Sequence, residues 1–364
     1  MKALSLVWLF LASSALGFSF ENPHQIKETS ASTLDANKLI YMVVWRGCEQ
    51  ACQGFLAHIE AKQWPVDVIV RDAERDKSKL DMFLNEARQL QPDLVVTWGT
   101  SVSKALIGGI PQMGSTSKLG DIPALFMIVA DPVGAGITSS GEYSGRTMVT
   151  GIRNRIDEAV QIRVMREYFP VQKIGVLYAK SELNSILNTQ KLQSLERELQ
   201  FETVIETYQL DENGTPLPNQ FHDKMARLAQ QGVDVIYVGS SSYNLLHRED
   251  FTRAALANQL PVASAYDSMV TDSNALISVS NKYFRVGQLA ANQAGRIVLD
   301  GLVPGDMPIA ELASYSITIN MAVAREMALY PPIQLLRFAE LINRNKSISS
   351  STIGELNDVN RKVQ

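Results

Sequence analysis

The stretch Leu94-Val95-Val96-Thr97-Trp98-Gly99-Thr100-Ser101 contains the pattern that decides the fold. Its first five residues form an apolar run typical of a buried β-strand. A glycine and two hydroxyl residues follow, and Val102–Leu106 then begins a helix. A strand that passes through a short loop of small residues into a helix is the unit from which parallel α/β sheets are built.

The same alternation extends through most of the chain. Other apolar runs of strand length are Leu39–Trp45, Val66–Val70, Leu125–Ala130, Ile174–Tyr178, Thr203–Tyr208, Val235–Val238, Pro261–Ala265 and Ala275–Val279. Several are nearly continuous in Val, Ile, Leu and Met, which predicts strands buried on both faces of a parallel sheet. Helical patterns lie between them, at Cys52–Ala61, Ser78–Gln89, Asp157–Tyr168, Leu183–Leu199, Asp223–Gln231, Asp250–Gln259 and Phe284–Leu302. Because the units form two groups, before and after about residue 150, they predict an α/β fold with two doubly wound, Rossmann-like lobes.

Composition limits the functions to consider. The chain has 364 residues, more than one domain usually contains, and 46% of them are hydrophobic. Its formal net charge is −4, from 34 Lys and Arg against 38 Asp and Glu, and it has no long basic run, so no nucleic-acid partner is expected. The four histidines, His24, His58, His222 and His247, lack metal-ligand spacing. No nucleotide-binding or catalytic motif is visible, so we expect no metal site, no cofactor and no enzymatic activity, and an enzyme on the two-lobe scaffold is the weaker alternative.

The two ends of the sequence differ from the middle. Residues 1–17 have a short positive start, an apolar stretch and small residues up to Gly17, which predicts a secretory signal peptide. An uncleaved anchor is the alternative, but the apolar run is shorter than the roughly 20 residues of a membrane span. Residues 18–37 form a polar leader and residues 343–364 a polar tail. We therefore expect a protein exported to the periplasm.

The two cysteines, Cys48 and Cys52, are four positions apart. With Cys52 in a helix and Cys48 in the turn before it, the side chains can meet, and an oxidising compartment favours a disulfide between them. A redox-active pair is the alternative, although the spacing is CxxxC and not CxxC. Metal binding is disfavoured because no histidine is close in sequence.

Residues that directly follow the predicted strands are the candidates for a ligand site, because doubly wound sheets bind ligands outside the carboxyl ends of their strands. Trp45 could stack on a planar ligand, and Arg46 could clamp a carboxylate or a phosphate. Thr100 and Ser101 could bind a carboxylate through hydroxyl and N–H groups at a helix start. Asp267 could accept a hydrogen bond from a ligand ammonium group.

Five more residues complete the candidate ligand-binding set. They are Asp131, Glu182, Ser240, Ser241 and Tyr283. Each candidate has a structural alternative: Ser, Thr, Asp and Glu here could cap helices or fix turns, the Trp could fill an interface between lobes, and the Arg could be solvated. Contributions from both halves of the chain favour a ligand cleft for the set as a whole.

Several short motifs carry a resemblance to a known family. They are MIVADPVGAG at 127–136 with VTG at 149–151, IGVLY at 174–178 with ELNS at 182–185, YDSMV at 266–270 with ALISV at 275–279, YFRVGQLA at 283–290, and ITIN at 317–320. In this order they resemble bacterial ABC-transporter substrate-binding proteins similar to the tryptophan/tyrosine-binding solute receptors. The resemblance covers roughly residues 38–340 and both predicted lobes.

The resemblance implies a type I periplasmic-binding-protein fold, in which two lobes joined by a three-stranded hinge enclose a ligand. It implies an N-terminal lobe of residues 38–150 plus 283–314 and a C-terminal lobe of residues 151–282 plus 315–342. The hinge crossings would be Val149–Arg153, the region around Val279–Tyr283, and Tyr315–Asn320.

Two loops depart from the family pattern. Trp45–Cys52 replaces a first loop that often carries a histidine-proline pair, and Ser240–Asn244 replaces a stretch that commonly contains Thr and Asp. An aromatic amino acid is therefore not carried over as the ligand.

The resemblance implies a monomeric solute receptor of an ABC-type importer, which closes on a small amino-acid-like or carboxylate solute and presents it to a membrane permease. The alternative is a ligand-sensing module that reports to a membrane sensor such as a histidine kinase or a diguanylate cyclase.

Overall fold

A computed structural model describes residues 37–344 of the chain. The predicted signal peptide (1–17), the leader up to residue 36 and the polar tail from residue 345 lie outside the described residues. Within residues 37–344, no helix has both the length and the apolar composition that a membrane crossing requires.

The described strands form two sheets. In chain order the strands are β1 (Lys38–Val44), β2 (Val66–Asp72), β3 (Leu94–Trp98), β4 (Ala124–Val129), β5 (Val149–Arg153), β6 (Lys173–Tyr178), β7 (Glu202–Thr207), β8 (Val235–Val238), β9 (Val262–Ser264), β10 (Ile277–Ser280), β11 (Ala310–Glu311), β12 (Ser316–Asn320) and β13 (Ala339–Ile342). The six-stranded N-sheet has the order β11-β5-β4-β3-β1-β2, and the seven-stranded C-sheet has the order β13-β12-β10-β9-β8-β6-β7. All neighbouring strands are parallel except β10 and β12, which are antiparallel.

Helices connect these strands and cover both sheets. In chain order they are α1 (Gln50–Lys62), α2 (Leu80–Leu90), α3 (Thr100–Leu106), α4 (Glu158–Tyr168), α5 (Leu183–Leu199), α6 (Phe221–Gln230), α7 (Ser242–Leu246), α8 (Arg248–Ala257), α9 (Asp267–Thr271), α10 (Tyr283–Val298), α11 (Met321–Glu326) and α12 (Ile333–Leu336). The N-sheet with its helices is called the N-lobe below, and the C-sheet with its helices the C-lobe.

The prediction of an α/β fold with two doubly wound sheets is confirmed. Each predicted strand is a strand, and its ends differ from the prediction by no more than two residues. The last long helix was predicted to reach Leu302 but ends at Val298, because the chain turns at Gly301, which has a φ of 73°. A left-handed φ of this kind is readily adopted only by glycine.

Both faces of each sheet are buried, as the nearly continuous apolar runs indicated. In β1, Ile40, Met42 and Val44 belong to the cluster beneath α1 and α10, whereas Tyr41 and Val43 belong to the cluster beneath α2 and α3. The C-sheet has an equivalent pair of clusters, one beneath α4 and α5 and the other beneath α6, α8 and α9. Each lobe therefore has its own core on both sides of its sheet.

The chain passes from the N-sheet to the C-sheet after β5, returns after β10 and crosses again after β11. The second passage leads directly into α10, whose apolar face packs on the N-sheet beside α1. Helix α10 therefore joins β10 of the C-sheet to the N-lobe.

Helices α1 and α10 pack with their backbones in direct contact. A Cβ atom on Gly54 would overlap the carbonyl oxygen of Phe284, and one on Gly287 would overlap the carbonyl oxygen of Ala51. The obstacle in each case is backbone, which cannot move aside as a flexible side chain can. Glycine is required at these two positions because it alone permits this approach.

We expect Gly54→Ala and Gly287→Ala each to lower the free energy of unfolding by about 1–3 kcal/mol, the usual cost of overpacking, in spite of the higher helix propensity of alanine. Urea denaturation measures the loss. Glu60→Ala, at an exposed position of α1, is the control and should change stability by less than about 0.5 kcal/mol. If the two glycine variants were as stable as the Glu60→Ala control, α1 and α10 could move apart at no cost, and the prediction would be wrong.

The predicted disulfide between Cys48 and Cys52 is confirmed, with the two Cα atoms 5.0 Å apart. It joins the loop after β1 to the first turn of α1. Because the loop that it closes is short, the entropy that it removes from the unfolded chain is small.

We expect the Cys48→Ser/Cys52→Ser double variant to be less stable than the wild type by about 2 kcal/mol, the chain-entropy value for a five-residue loop. Urea denaturation of the wild type with and without a reductant should show the same difference. The double variant serves as the control, since its denaturation curve should not respond to the reductant. A wild type that is also insensitive would contradict the prediction.

Candidate functional site

A cavity of about 40 Å³ lies between the lobes, where the carboxyl ends of strands from both sheets meet. It is lined by Trp45, Arg46, Trp98, Gly99, Thr100, Ser101, Ile128, Ala130, Asn154, Arg155, Asn184, Ser240, Ser242, Ala265, Tyr266 and Tyr283. Most of these residues end a strand or follow one closely, which is where doubly wound sheets bind ligands. We call this cavity the interlobe pocket.

Arg46 links the two lobes at this pocket. Its Nε and Nη2 atoms donate to the two carboxylate oxygens of Glu49 at 2.7 and 3.0 Å, and its Nη1 donates to the Ser242 hydroxyl of the C-lobe at 2.9 Å. The guanidinium also lies over the ring of Trp98, 4.8 Å from the ring centroid. Burial opposes the charge of Arg46, but the Glu49 carboxylate raises its pKa above the ordinary value, so the group stays a cation.

Arg155 is a second buried cation at the pocket. Its side chain is 9% exposed, and its Nε lies 3.6 Å from a carboxylate oxygen of Glu158, too far for a hydrogen bond. That oxygen already accepts a hydrogen bond from the Asn188 amide at 2.8 Å. The guanidinium of Arg155 is thus paired with a carboxylate without being fully hydrogen-bonded within residues 37–344, and it can donate to an anion in the pocket.

Two other buried polar atoms of pocket residues have no hydrogen-bond partner within the described part of the chain. They are the indole Nε1 of Trp98, a donor, and the Oδ1 of Asn154, an acceptor. Buried polar groups are nearly always satisfied, and each exception requires an explanation. Their place in the lining of the interlobe pocket favours a ligand as that explanation.

The backbone is strained where β4 reaches the pocket. Ile128 has a φ of 57°, which is unfavourable for a β-branched residue, and the pairing of β4 with β5 shifts register between Phe126 and Val129. A bulge of this kind bends a strand and redirects the residues after it. Here it brings both Ile128 and Ala130 into the pocket lining.

Glu182 holds the loop after β8 in place. Its carboxylate accepts hydrogen bonds from the Ser185 and Ser241 hydroxyls and from the backbone N–H of Tyr243, at 2.8–2.9 Å. Burial raises the pKa of Glu182, and these donors, together with the charge of Arg46, oppose the shift. The carboxylate therefore positions the loop that supplies pocket residues, and it does not line the pocket itself.

The structure brings together six of the ten candidate ligand-binding residues. Trp45, Arg46, Thr100, Ser101, Ser240 and Tyr283 line the interlobe pocket. Ser241 instead caps α7: its hydroxyl accepts a hydrogen bond from the backbone N–H of Asn244, as the helix-capping alternative predicted. Asp131 accepts from the N–H of Gly134 at 2.7 Å in a turn.

Asp267 lies in a separate groove between the lobes. It forms an ion pair with Lys282 at 2.9 Å and accepts a hydrogen bond from the Thr318 hydroxyl at 2.6 Å. The residue that the sequence offered as an ammonium acceptor thus has partners of its own and is absent from the lining of the interlobe pocket.

The candidate set from the sequence left out the polar lining residues Trp98, Asn154, Arg155, Ser242 and Tyr266. Asn184, which the sequence suggested could reach the cleft or cap α5, also lines the pocket. All of them follow a strand closely or end one, so the rule that identified the other candidates could have found them. Asn154 and Arg155 were overlooked because β5 was interpreted only as a hinge crossing.

The fold and the pocket define a two-lobe binding protein, and comparison with known sequences gives its family. The sequence model of the ABC transporter substrate binding protein family matches residues 46–341. The chain belongs to this family.

Known relatives are distant in sequence. The chain is 24% identical, over 277 residues, to a tyrosine-binding protein of Clostridioides difficile (strain R20291), which covers 75% of this chain and 74% of the relative. Among solved structures it is similar to the ABC domain in complex with L-Trp from Streptococcus pneumonia, with a TM-score of 0.72, 19% identity and coverage of 84% and 100%. It is also similar to a ligand-free, open substrate-binding protein with adhesive properties from Clostridium difficile, with a TM-score of 0.64, 21% identity and coverage of 85% and 100%. These similarities show the type I periplasmic-binding-protein fold.

We expect Glu182→Ala to destabilise the protein by about 1–3 kcal/mol, because the N–H of Tyr243 and the hydroxyl of Ser241 lose their acceptor. Urea denaturation checks this. Glu198→Ala is the matched control. Glu198 is an exposed residue of α5 whose carboxylate lies 3.6 Å from Arg163, and such surface ion pairs contribute little to stability. A loss no larger than that of the control would mean that Glu182 does not hold the loop.

Proposed function

We propose that this chain is a solute receptor of an ABC-type importer, which captures a small amino-acid-like or carboxylate solute in the interlobe pocket. The observation that carries the proposal is the presence of two buried arginines, Arg46 and Arg155, in a cavity built by both lobes. The planar guanidinium group matches the geometry of a carboxylate, which amino acids and organic acids share.

The remaining lining suits a solute of this size. Trp45, Trp98, Tyr266 and Tyr283 provide aromatic walls against which an apolar or planar body can pack. Thr100, Ser101 and Ser240, among the candidates from the sequence, add hydroxyl groups, and they belong to the proposed ligand-binding set. The tyrosine-binding relative and the structure solved with L-Trp support a ligand of amino-acid size. The first loop, Trp45–Cys52, differs from the family pattern, which favours an amino-acid-like or carboxylate solute other than tyrosine or tryptophan.

Closure of the lobes is the proposed means of capture. The hydrogen bond from Arg46 to Ser242 already spans the two lobes. A solute in the pocket would contact both lobes only when they are shut, so its binding energy would favour the closed form. We propose that the lobes have the bounds implied by the family resemblance, except that the N-lobe extends through Arg153, the last residue of β5. We also propose that the closed form is presented to a membrane permease. The receptor would be a monomer in the periplasm, where the Cys48–Cys52 disulfide would be stable.

A thermal-shift screen against amino acids, aromatic acids and other organic acids tests the function. A ligand at 100 times its Kd should stabilise the folded protein by about 2.7 kcal/mol and raise the melting temperature. The shift should be lost in Arg155→Gln and kept in Arg163→Gln, because Arg163 is 59% exposed and absent from the pocket lining. If no carboxylate in the screen shifts the melting temperature, the proposal is wrong.

Small-angle X-ray scattering tests closure. Ser242→Ala removes the acceptor that Arg46 reaches across the cleft, so the ligand-free variant should have a larger radius of gyration than the wild type. A saturating ligand should restore the compact form. Ser194→Ala, an exposed serine of α5, is the control. A radius that is unaffected by both the variant and the ligand would contradict hinge closure.

A further inference from the structure

We propose that the interlobe pocket selects organic acids that carry a carboxylate and no ammonium group, over the amino acids with the same carbon skeleton. This inference rests on the proposed function and narrows its solute class. Three observations support it: the sign of the charges that line the pocket, the hydrogen bonds and ion pairs that the nearby acidic residues already make with protein groups, and the buried polar atoms of the lining that have no partner.

The charge on the lining has one sign. Arg46 and Arg155 are the charged side chains that line the interlobe pocket within residues 37–344, and no Asp or Glu of the described chain is among the lining residues. Both arginine side chains are largely buried, with 7% and 9% exposure. Solvent screens these two groups weakly, and their carboxylate partners Glu49 and Glu158 are absent from the lining. An ammonium group in the pocket would therefore meet guanidinium groups and no carboxylate.

The acidic residues near the pocket are already engaged with protein groups. Glu49 accepts two hydrogen bonds from Arg46, Glu158 faces Arg155 and accepts from Asn188, and Glu182 accepts three hydrogen bonds. None of the three lines the pocket. An ammonium group of a bound amino acid would lose its water without gaining a carboxylate, and burial of an unpaired charge is costly.

Asp267 does not supply the missing carboxylate. It lines the groove between α1 and α9, and Lys282 neutralises its charge at 2.9 Å. Lys282 is held in turn by Glu340 at 2.8 Å, so the pair belongs to a charge network outside the interlobe pocket.

The unpartnered atoms of the lining agree with this selectivity. The Trp98 Nε1 is a donor that suits a carboxylate oxygen or another acceptor of the solute. The Asn154 Oδ1 is a neutral acceptor that suits a solute hydroxyl group. The pocket thus offers two cations and a neutral donor to an anion, but only neutral oxygens, of amides and hydroxyl groups, to a positive group.

Isothermal titration calorimetry with matched pairs tests the inference. Each pair has one carbon skeleton with and without the ammonium group: L-alanine and propionate, L-phenylalanine and 3-phenylpropionate, L-tyrosine and 3-(4-hydroxyphenyl)propionate, L-tryptophan and indole-3-propionate. In every pair that binds, we expect the acid without the amine to bind at least tenfold more tightly. Amino acids that bind as tightly as their partners or more tightly would overturn the inference and leave the receptor function standing, whereas a panel with no binding at all would overturn both.

Variants test whether the lining charge causes the selectivity. Asn154→Asp places a carboxylate at the pocket and should reduce the preference for the acid at least tenfold by admitting the ammonium group. Arg155→Gln should weaken binding of the acid at least tenfold, and Arg155→Lys should recover part of it. Arg153→Gln is the control, because Arg153 is exposed, pairs with Glu311 and is absent from the lining.

Melting curves of the variants without ligand separate a loss of folding from a loss of binding. An Asn154→Asp variant that melts like the wild type but keeps the full preference for the acid would overturn the inference. The same holds for a folded Arg155→Gln variant that binds the acid with wild-type affinity.

Discussion

The contact between α1 and α10 is the constraint on which the geometry of the pocket depends. The two helices meet backbone against backbone at Gly54 and Gly287, so their relative position leaves little freedom. The residue before α1 is Glu49, which holds Arg46, and the first residue of α10 is Tyr283, which forms a wall of the pocket. Because α10 begins directly after the C-sheet, the same contact joins the N-lobe to the chain that leaves the C-lobe.

The charges at the cleft follow a related logic. Removing a guanidinium group from water is unfavourable unless an anion and hydrogen-bond acceptors replace the water. Glu49 compensates Arg46 with two short hydrogen bonds, whereas Glu158 stays 3.6 Å from Arg155 and is shared with Asn188. The two arginines therefore differ: Arg46 is hydrogen-bonded to Glu49 and to Ser242 of the C-lobe, whereas Arg155 retains more of its donors for an anionic solute.

Most strands and the long helices were predictable from one sequence because burial on both faces gives strands such as β1, β3, β4 and β8 nearly continuous apolar runs, and the covering helices keep a helical period. Strand β5, which contains Thr, Gly and Arg, lacks such a run and was expected only as a hinge crossing. Short elements such as β11, with two residues, have too little pattern to be recognised. Six pocket residues could be predicted because topology places the ends of parallel strands at one edge. Arg155 could be found by the same rule, but it is buried near Tyr237, Tyr266 and Tyr283, which are distant in sequence, and no local pattern reveals this.

Asp267 shows why the rest of the site could not be predicted. It follows β9 as closely as the residues that do line the pocket, and a free carboxylate there would be a reasonable ammonium acceptor. Its carboxylate is instead bound by Lys282 and Thr318, which are distant in sequence and which the C-sheet brings beside it. Glu182 is a similar case. Its carboxylate accepts hydrogen bonds from the loop after β8 and holds that loop in place, so it is not available to a ligand. At the edge of such a sheet, the polar residues that bind protein groups and those that remain available to a solute share one sequence signature. Only the three-dimensional pairing distinguishes them, and here it engages the acidic residues elsewhere and leaves the lining of the pocket positively charged.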